Sequence, residues 1–167
     1  MQLSGAMPKD RSYSLPIKVD HFTMGTARWL QLDSILQAES IYINIERDSE
    51  RDSLKDPEWN LIVQKWVAGG LPNLQNIRMK LNKRNDHGLK WILEGIQHTR
   101  ADEASRPAYY WDLPGEFRKD GCEKYDIKRA DGLIATVSMN GLNSYTRRID
   151  MFVWHNEFKL NLSEFGY

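Results

Sequence analysis

The first hundred residues alternate between two apolar periodicities, and this alternation restricts the fold more than any other feature. Three segments carry the strand pattern, in which apolar and polar residues alternate: residues 15–19, 41–45 and 77–81. Each is followed by apolar residues at helical spacing: residues 26–38, 59–67 and 89–96. Because neighbouring parallel strands need a crossover, usually helical, the sequence predicts an α/β layer of leucine-rich-repeat-like strand–helix units.

The ends of two of these helices are marked by capping residues. Asp56 can accept backbone N–H bonds at the start of the second helix, and Gly69-Gly70 followed by Pro72 can end it. Asp86 is expected to cap the third helix. The second helix is therefore predicted between Asp56 and Gly69.

Helical periodicity is absent after residue 100, where the pattern changes to that of an antiparallel sheet. Residues 125–129 and 133–139 read as two strands joined around Asp131-Gly132, a strong hairpin signal. Residues 149–154 can supply a third strand. The prediction is a C-terminal antiparallel β meander within one domain, residues 15–156, between a flexible tail at 1–14 and a second tail at 157–167.

Composition narrows the cellular setting. The 23 basic and 23 acidic side chains cancel, so nothing in the net charge favours a nucleic-acid partner. A single cysteine, Cys122, allows no intrachain disulfide and fits a reducing compartment. No apolar run has the length of a signal peptide core or a membrane span. We expect an intracellular protein, cytoplasmic or nuclear, with no membrane partner.

The sequence contains little that predicts catalysis. There is no nucleophile elbow, phosphate-cradling glycine loop or dinucleotide fingerprint. The four histidines are scattered, without the spacing of a zinc site: His21, His87, His98 and His155. Cys122 reads as an ordinary thiol, and Asp131 is explained as a turn residue. We therefore predict no catalytic residue, metal site or cofactor.

Protein binding is the function that the pattern favours, since repeat-like sheets commonly present a continuous binding face. Six tryptophans are many for 167 residues, and such residues dominate both cores and interface hot spots. Trp91 is adjacent to the apolar stripe of the third helix and Trp111 lies beside Tyr109 and Tyr110, so both are candidates for partner contact. The residues predicted to contact a protein are Tyr42, Asn44, Arg78, Lys80, Tyr110 and Trp111.

Five segments together are similar to a known family: residues 29–32, 41–45, 59–74, 125–137 and 151–154. They resemble the nematode F-box-associated domain (type 2), in which a helix with a Trp-x-x-Gly-like end precedes a Pro-x-Leu strand. A late Asp-Ile-x-Arg-x-Asp-Gly-x-x-Ala-Thr hairpin then precedes an aromatic Val-Trp strand. The resemblance extends from Trp29 to Trp154, and the late hairpin is its most specific part.

This resemblance implies capture of a protein substrate for a Skp–cullin–F-box ubiquitin ligase, with the ubiquitin-transfer chemistry left to other subunits. In that family the domain follows an F-box of about three helices, whereas only a short stretch, Met1 to Thr26, lies upstream of the similar region here. The Skp adaptor is thus an expected partner only if an F-box lies upstream. Two other readings stay open: a small hydrolase-like enzyme with a site assembled from distant loops, and a degenerate structural paralogue.

Overall fold

The computed structural model describes residues 21–24, 42–45, 56–82, 88–106, 110, 121–141 and 146–154. Seven strands form one sheet: β1 His21–Met24, β2 Tyr42–Ile45, β3 Asn76–Asn82, β4 His98–Arg100, β5 Glu123–Lys128, β6 Ile134–Gly141 and β7 Thr146–Trp154. Two α-helices are described, α1 Asp56–Val67 and the single turn α2 Leu89–Ile92, with a 3-10 turn at Glu103–Ser105.

The strand order is β1-β2-β3-β7-β6-β5-β4. β1, β2 and β3 are parallel neighbours, whereas every pairing from β3 to β4 is antiparallel. The fold is therefore a mixed α/β sheet in which five strands form an antiparallel unit. The last strand, β7, lies between β3 and β6 and makes one continuous sheet of the two halves.

Several predicted elements are confirmed. β2 and β3 lie at the second and third predicted strands, and their parallel pairing follows the crossover argument. β5, β6 and β7 form the predicted meander. The first predicted strand and helix, residues 15–19 and 26–38, lie outside the described residues, as do both tails. The described strand nearest to them is β1 at His21–Met24.

The leucine-rich-repeat-like arrangement is not supported in the part of the chain that the structure describes. In a solenoid, each parallel strand pairs with the next parallel strand. Here the side of β3 that does not contact β2 pairs instead with antiparallel β7 over seven residues, from Asn76↔Phe152 to Asn82↔Thr146. A sheet edge occupied in this way cannot accept a further parallel repeat.

The third predicted helix is shorter than its apolar spacing suggested. α2 ends at Ile92, its N-cap position is Gly88, and the predicted cap Asp86 lies outside the described residues. Gly95, with φ 71°, turns the chain into the unpredicted strand β4. The four apolar residues of the predicted stripe are still buried: Leu89, Ile92, Leu93 and Ile96. Burial was therefore predicted correctly and helix length was not.

The end of α1 is as the sequence predicts. Gly69 has φ 85°, its N–H donates to the Trp66 carbonyl at 2.9 Å, and the Gly70 N–H donates to the Lys65 carbonyl at 2.8 Å. These two bonds form a Schellman cap, which a left-handed glycine permits.

The hydrophobic core lies between the two helices and one face of the sheet. The helix side of the core includes Trp59, Ile62, Val63, Trp66, Leu89 and Ile92. The sheet contributes Ile77, Ile127, Ala135, Val137, Ile149, Met151 and Val153, which alternate along their strands with residues of the opposite face. No helix in the described residues is both long and apolar enough to cross a membrane.

Candidate functional site

The sheet face opposite the helices is polar, yet it is buried. Seven polar or charged residues of this face have less than a tenth of their surface exposed. Along their strands they alternate with residues that point to the core on the other face: Asn76, Lys124, Thr136, Ser138, Asn140, Arg148 and Asp150. Buried polar side chains are stable only when most of their hydrogen bonds are satisfied. We call this surface the polar face.

The centre of the polar face is a carboxylate between two guanidinium groups. Arg78 Nε donates to Asp150 Oδ1 at 2.7 Å, and Arg148 Nε donates to Asp150 Oδ2 at 2.8 Å. The Asp150 side chain is fully buried. The register places Ser138 of β6 directly beside Asp150, and Lys124 of β5 beside Ser138. The strands thus align one row of polar side chains across four strands.

A second cluster surrounds Asp126. Arg106 Nη2 donates to both Asp126 carboxylate oxygens at 2.6 Å, and the Thr136 hydroxyl donates to Asp126 Oδ1 at 2.6 Å. Trp154 Nε1 donates to Thr136 Oγ1 at 2.8 Å, and the Arg106 guanidinium lies 4.9 Å from the Trp154 ring centroid. These contacts tie the segment after the 3-10 turn to the sheet.

A third cluster joins the 3-10 turn to the start of β5. Lys124 Nζ donates to Glu103 Oε1, and the Cys122 thiol donates to Asn140 Oδ1. Partial burial raises the pKa of Glu103, but the hydrogen bonds from Lys124 and Tyr110 outweigh it and leave that pKa below its usual value. The Glu103 carboxyl is therefore held as an anion.

These clusters are built for structure more than for reaction chemistry. The carboxylates of Glu103, Asp126 and Asp150 already accept hydrogen bonds from cations or hydroxyls. Within the described residues, no group of three His, Cys, Asp or Glu side chains could hold a metal ion. Ser138 Oγ and Asn140 Nδ2 have no hydrogen-bond partner there. No nucleophile and base lie together in these contacts.

A cleft of about 660 Å³ opens beside the third cluster. Residues 100–104 and 121–125 line it, so it begins where β4 ends and runs along the start of β5. Its walls include the Glu103–Lys124 ion pair, together with Arg100, Asp102 and Glu123. The cleft is mainly polar and is large enough for several side chains.

Large apolar side chains are exposed on the helix side of the molecule. Trp91 of α2 is 48% exposed and Leu61 of α1 is 46% exposed. The two helices are held together by Asn60, whose Nδ2 donates to the Ile92 and Glu94 carbonyls at 2.8 Å each. We call Leu61 and Trp91 the helix-side patch. Exposed tryptophan is typical of interface hot spots.

The predicted contact residues are only partly placed by the structure. Tyr42 and Asn44 lie in β2, Arg78 and Lys80 in β3, and the register pairs Asn44 with Arg78. The side chains of Tyr42, Asn44 and Lys80 lie outside the description, as does all of Trp111.

Two predicted contact residues are not on an open surface. The Arg78 side chain is 11% exposed and pairs with Asp150, and Tyr110 is 2% exposed, with its ring centroid 5.7 Å from that of Trp154. These residues look solvent-exposed in sequence because the residues that contact them, Asp150 and Trp154, are distant in the chain. Trp91, also a candidate from sequence, is exposed.

Comparison with known proteins supports the family resemblance in the first half of the chain. Residues 14–79 match the family model described as F-box associated. The match includes the similar segments from residue 29 to residue 74 and does not extend to the late hairpin, residues 125–137. The chain has no significant match among curated proteins or among solved structures.

Proposed function

We propose that this chain is a protein-binding domain that presents substrate proteins to a Skp–cullin–F-box ubiquitin ligase and is not itself catalytic. The observation that carries the proposal is the match of residues 14–79 to the F-box-associated family, whose role is protein interaction. The Skp adaptor would be a partner only if an F-box lies upstream of the domain. The cytoplasm and the nucleus, where such ligases act, are the proposed locations.

The helix-side patch is the proposed contact surface. Trp91 and Leu61 are the two most exposed large apolar residues among those whose burial is described. Both project from helices whose other faces are buried in the core, so a partner can cover them without disturbing the sheet. This surface replaces Arg78 and Tyr110 as proposed contacts, because those side chains are already covered.

The test is quantitative affinity capture from a nematode lysate, since the family that the sequence resembles is a nematode one. We expect the tagged chain to enrich a small set of proteins reproducibly. The double variant Leu61→Ala, Trp91→Ala should lose most of that enrichment. Because both side chains are about half exposed, their truncation should change stability little, which a thermal melt will verify.

Ile134→Ala is the matched control. Ile134 is 39% exposed and alternates in β6 with the core residue Ala135, so its truncation removes an apolar side chain from the sheet face opposite the helices. Retained capture by this variant and loss by the double variant supports the proposal. Equal capture by all three proteins would rule out the helix-side patch, and no enrichment by the unmodified chain would rule out the binding function.

A further inference from the structure

The strand β4 forms one edge of the described sheet. It pairs only with β5, through His98↔Ile127, Thr99↔Asp126 and Arg100↔Tyr125, and its three side chains are exposed. An edge strand leaves every second backbone N–H and C=O without a ladder partner. Such an edge can take an additional strand from another protein.

The register of β4 against β5 shows which backbone groups point outward. The Ala101 N–H donates to the Lys124 carbonyl at 3.1 Å, so the Ala101 N–H points toward β5. In an antiparallel ladder the bonded pairs alternate, which places Thr99 opposite Asp126 in the next bonded pair. The N–H and C=O groups of His98 and Arg100 therefore face away from β5.

The positive charge of Arg100 at this edge favours a peptide segment with an acidic side chain. His98 and Arg100 lie on the same side of the strand, opposite Ile127 and Tyr125. Arg100 forms no ion pair with any described residue, so its charge is available to a ligand. The His98 ring is fixed by a 2.7 Å contact between Nδ1 and the Ile96 carbonyl and by an edge-on packing against Tyr125. An acidic side chain complements this side.

The cleft described above extends the edge. Residues 100–104 and 121–125 line it, so it lies where β4 ends and where a segment paired with β4 would leave the strand. In an antiparallel arrangement, the residues that precede the paired part of the segment would lie nearest the cleft. An edge of only three residues gains contact area in this way.

We propose that β4 is a docking strand for an extended acidic segment of the partner protein, which pairs with the outward backbone groups of His98 and Arg100 and places a carboxylate against Arg100. The inference rests on the proposed function, since it specifies how a bound protein engages this domain. The helix-side patch would contact a different part of the same partner.

The test uses a defined peptide, Thr-Val-Thr-Glu-Thr-Val-Thr with capped ends, added to the full chain and followed by amide hydrogen exchange. In the free protein, the Thr99 and Ala101 amides should exchange more slowly than those of His98 and Arg100. The peptide should slow exchange at His98 and Arg100 selectively. A peptide with lysine in place of glutamate should bind roughly tenfold more weakly, as like charges would then meet.

Two variants separate the backbone from the side chain. Arg100→Pro removes an outward N–H that β5 does not use, a position where an edge strand tolerates proline, and should abolish peptide binding. Arg100→Ala keeps the N–H and should remove only the preference for glutamate over lysine. Unchanged peptide binding by Arg100→Pro, with its fold verified by circular dichroism, overturns the proposal.

The outcomes also distinguish this proposal from the proposed function. If the peptide leaves the His98 and Arg100 amides unprotected while the chain still captures proteins through the helix-side patch, docking on β4 alone is wrong. If neither peptide nor lysate protein is retained, the binding function fails with it.

Discussion

Arg78 and Asp150 are separated by 72 residues in sequence, and the pairing of β3 with β7 places them directly opposite each other, with 2.7 Å between Arg78 Nε and Asp150 Oδ1. Asp150 also accepts from Arg148, so one buried carboxylate contacts two cations. Two strands distant in the chain thus share a charged contact at the centre of the polar face.

Removing the shared carboxylate should destabilise the fold strongly. Asp150→Ala removes the buried carboxylate to which both Arg78 and Arg148 donate, and breaking a buried ion pair costs about 3–5 kcal/mol. Urea denaturation followed by circular dichroism will measure the loss. Asp102→Ala, which removes an exposed carboxylate, should cost less than about 1.5 kcal/mol. Similar losses in both variants would contradict the assignment of a buried charged centre.

Thr136 links Trp154 to Asp126 and should be sensitive to a change of nearly equal shape. Thr136→Val removes the hydroxyl that accepts from Trp154 Nε1 and donates to Asp126, and we expect a loss of about 1–3 kcal/mol. Thr99→Val on exposed β4 is the control and should be nearly neutral. The free energy of unfolding, measured by urea titration, checks both; a neutral Thr136→Val would mean that the link contributes nothing.

Asn60 should determine how firmly α2 is attached to α1. Asn60→Ala deletes both hydrogen bonds to the carbonyls of Ile92 and Glu94, and we expect a loss of about 1–3 kcal/mol. The amides of Leu93 and Ile96 should then exchange faster. Gln64→Ala keeps these two bonds and removes only an exposed contact to Asn60, so its amide exchange should match that of the unmodified chain.

Acid should weaken the hairpin between β5 and β6. Hydrogen bonds from the Arg129 guanidinium, followed by the Leu133 N–H, lower the pKa of Asp131 from 3.8 to about 2. The folded pKa is depressed, so this contribution to stability is present above about pH 4 and is lost as pH falls toward 2.

Thermal melts of the unmodified chain and of Asp131→Asn will show this effect. The unmodified chain should have the higher melting temperature at pH 5, and the difference should shrink as the pH approaches 2. A difference that does not change with pH would mean that the Asp131 charge is not its cause.

The elements that the sequence predicts best are those whose cause is local. The Asp131-Gly132 turn forms because Gly132 adopts φ 94° and the Asp131 side chain accepts from the Leu133 N–H at 3.1 Å. The Schellman cap at Gly69 is local in the same sense. Each depends on a few adjacent residues, so each could be predicted without the rest of the fold.

The polar face could not be predicted because its causes are distant in sequence. Ser138 and Asp150 alternate with apolar neighbours as solvent-exposed strand residues do, and their burial depends on what lies over the sheet. Tyr110 seemed exposed because it sits among other aromatic residues, whereas the structure buries it against Trp154. The strand order could not be predicted for the same reason, since no residue near β3 in sequence indicates that β7 will pair with it.

The position of β7 has a consequence for synthesis on the ribosome. It is the last described strand to emerge and it lies between β3 and β6, so until residues 146–154 leave the exit tunnel, the nascent chain has two unfinished part-sheets. Both would expose the edges that β7 later covers. A ribosome stalled before residue 146 would therefore display two open strand edges, the form of the chain most prone to aggregate and most in need of chaperones.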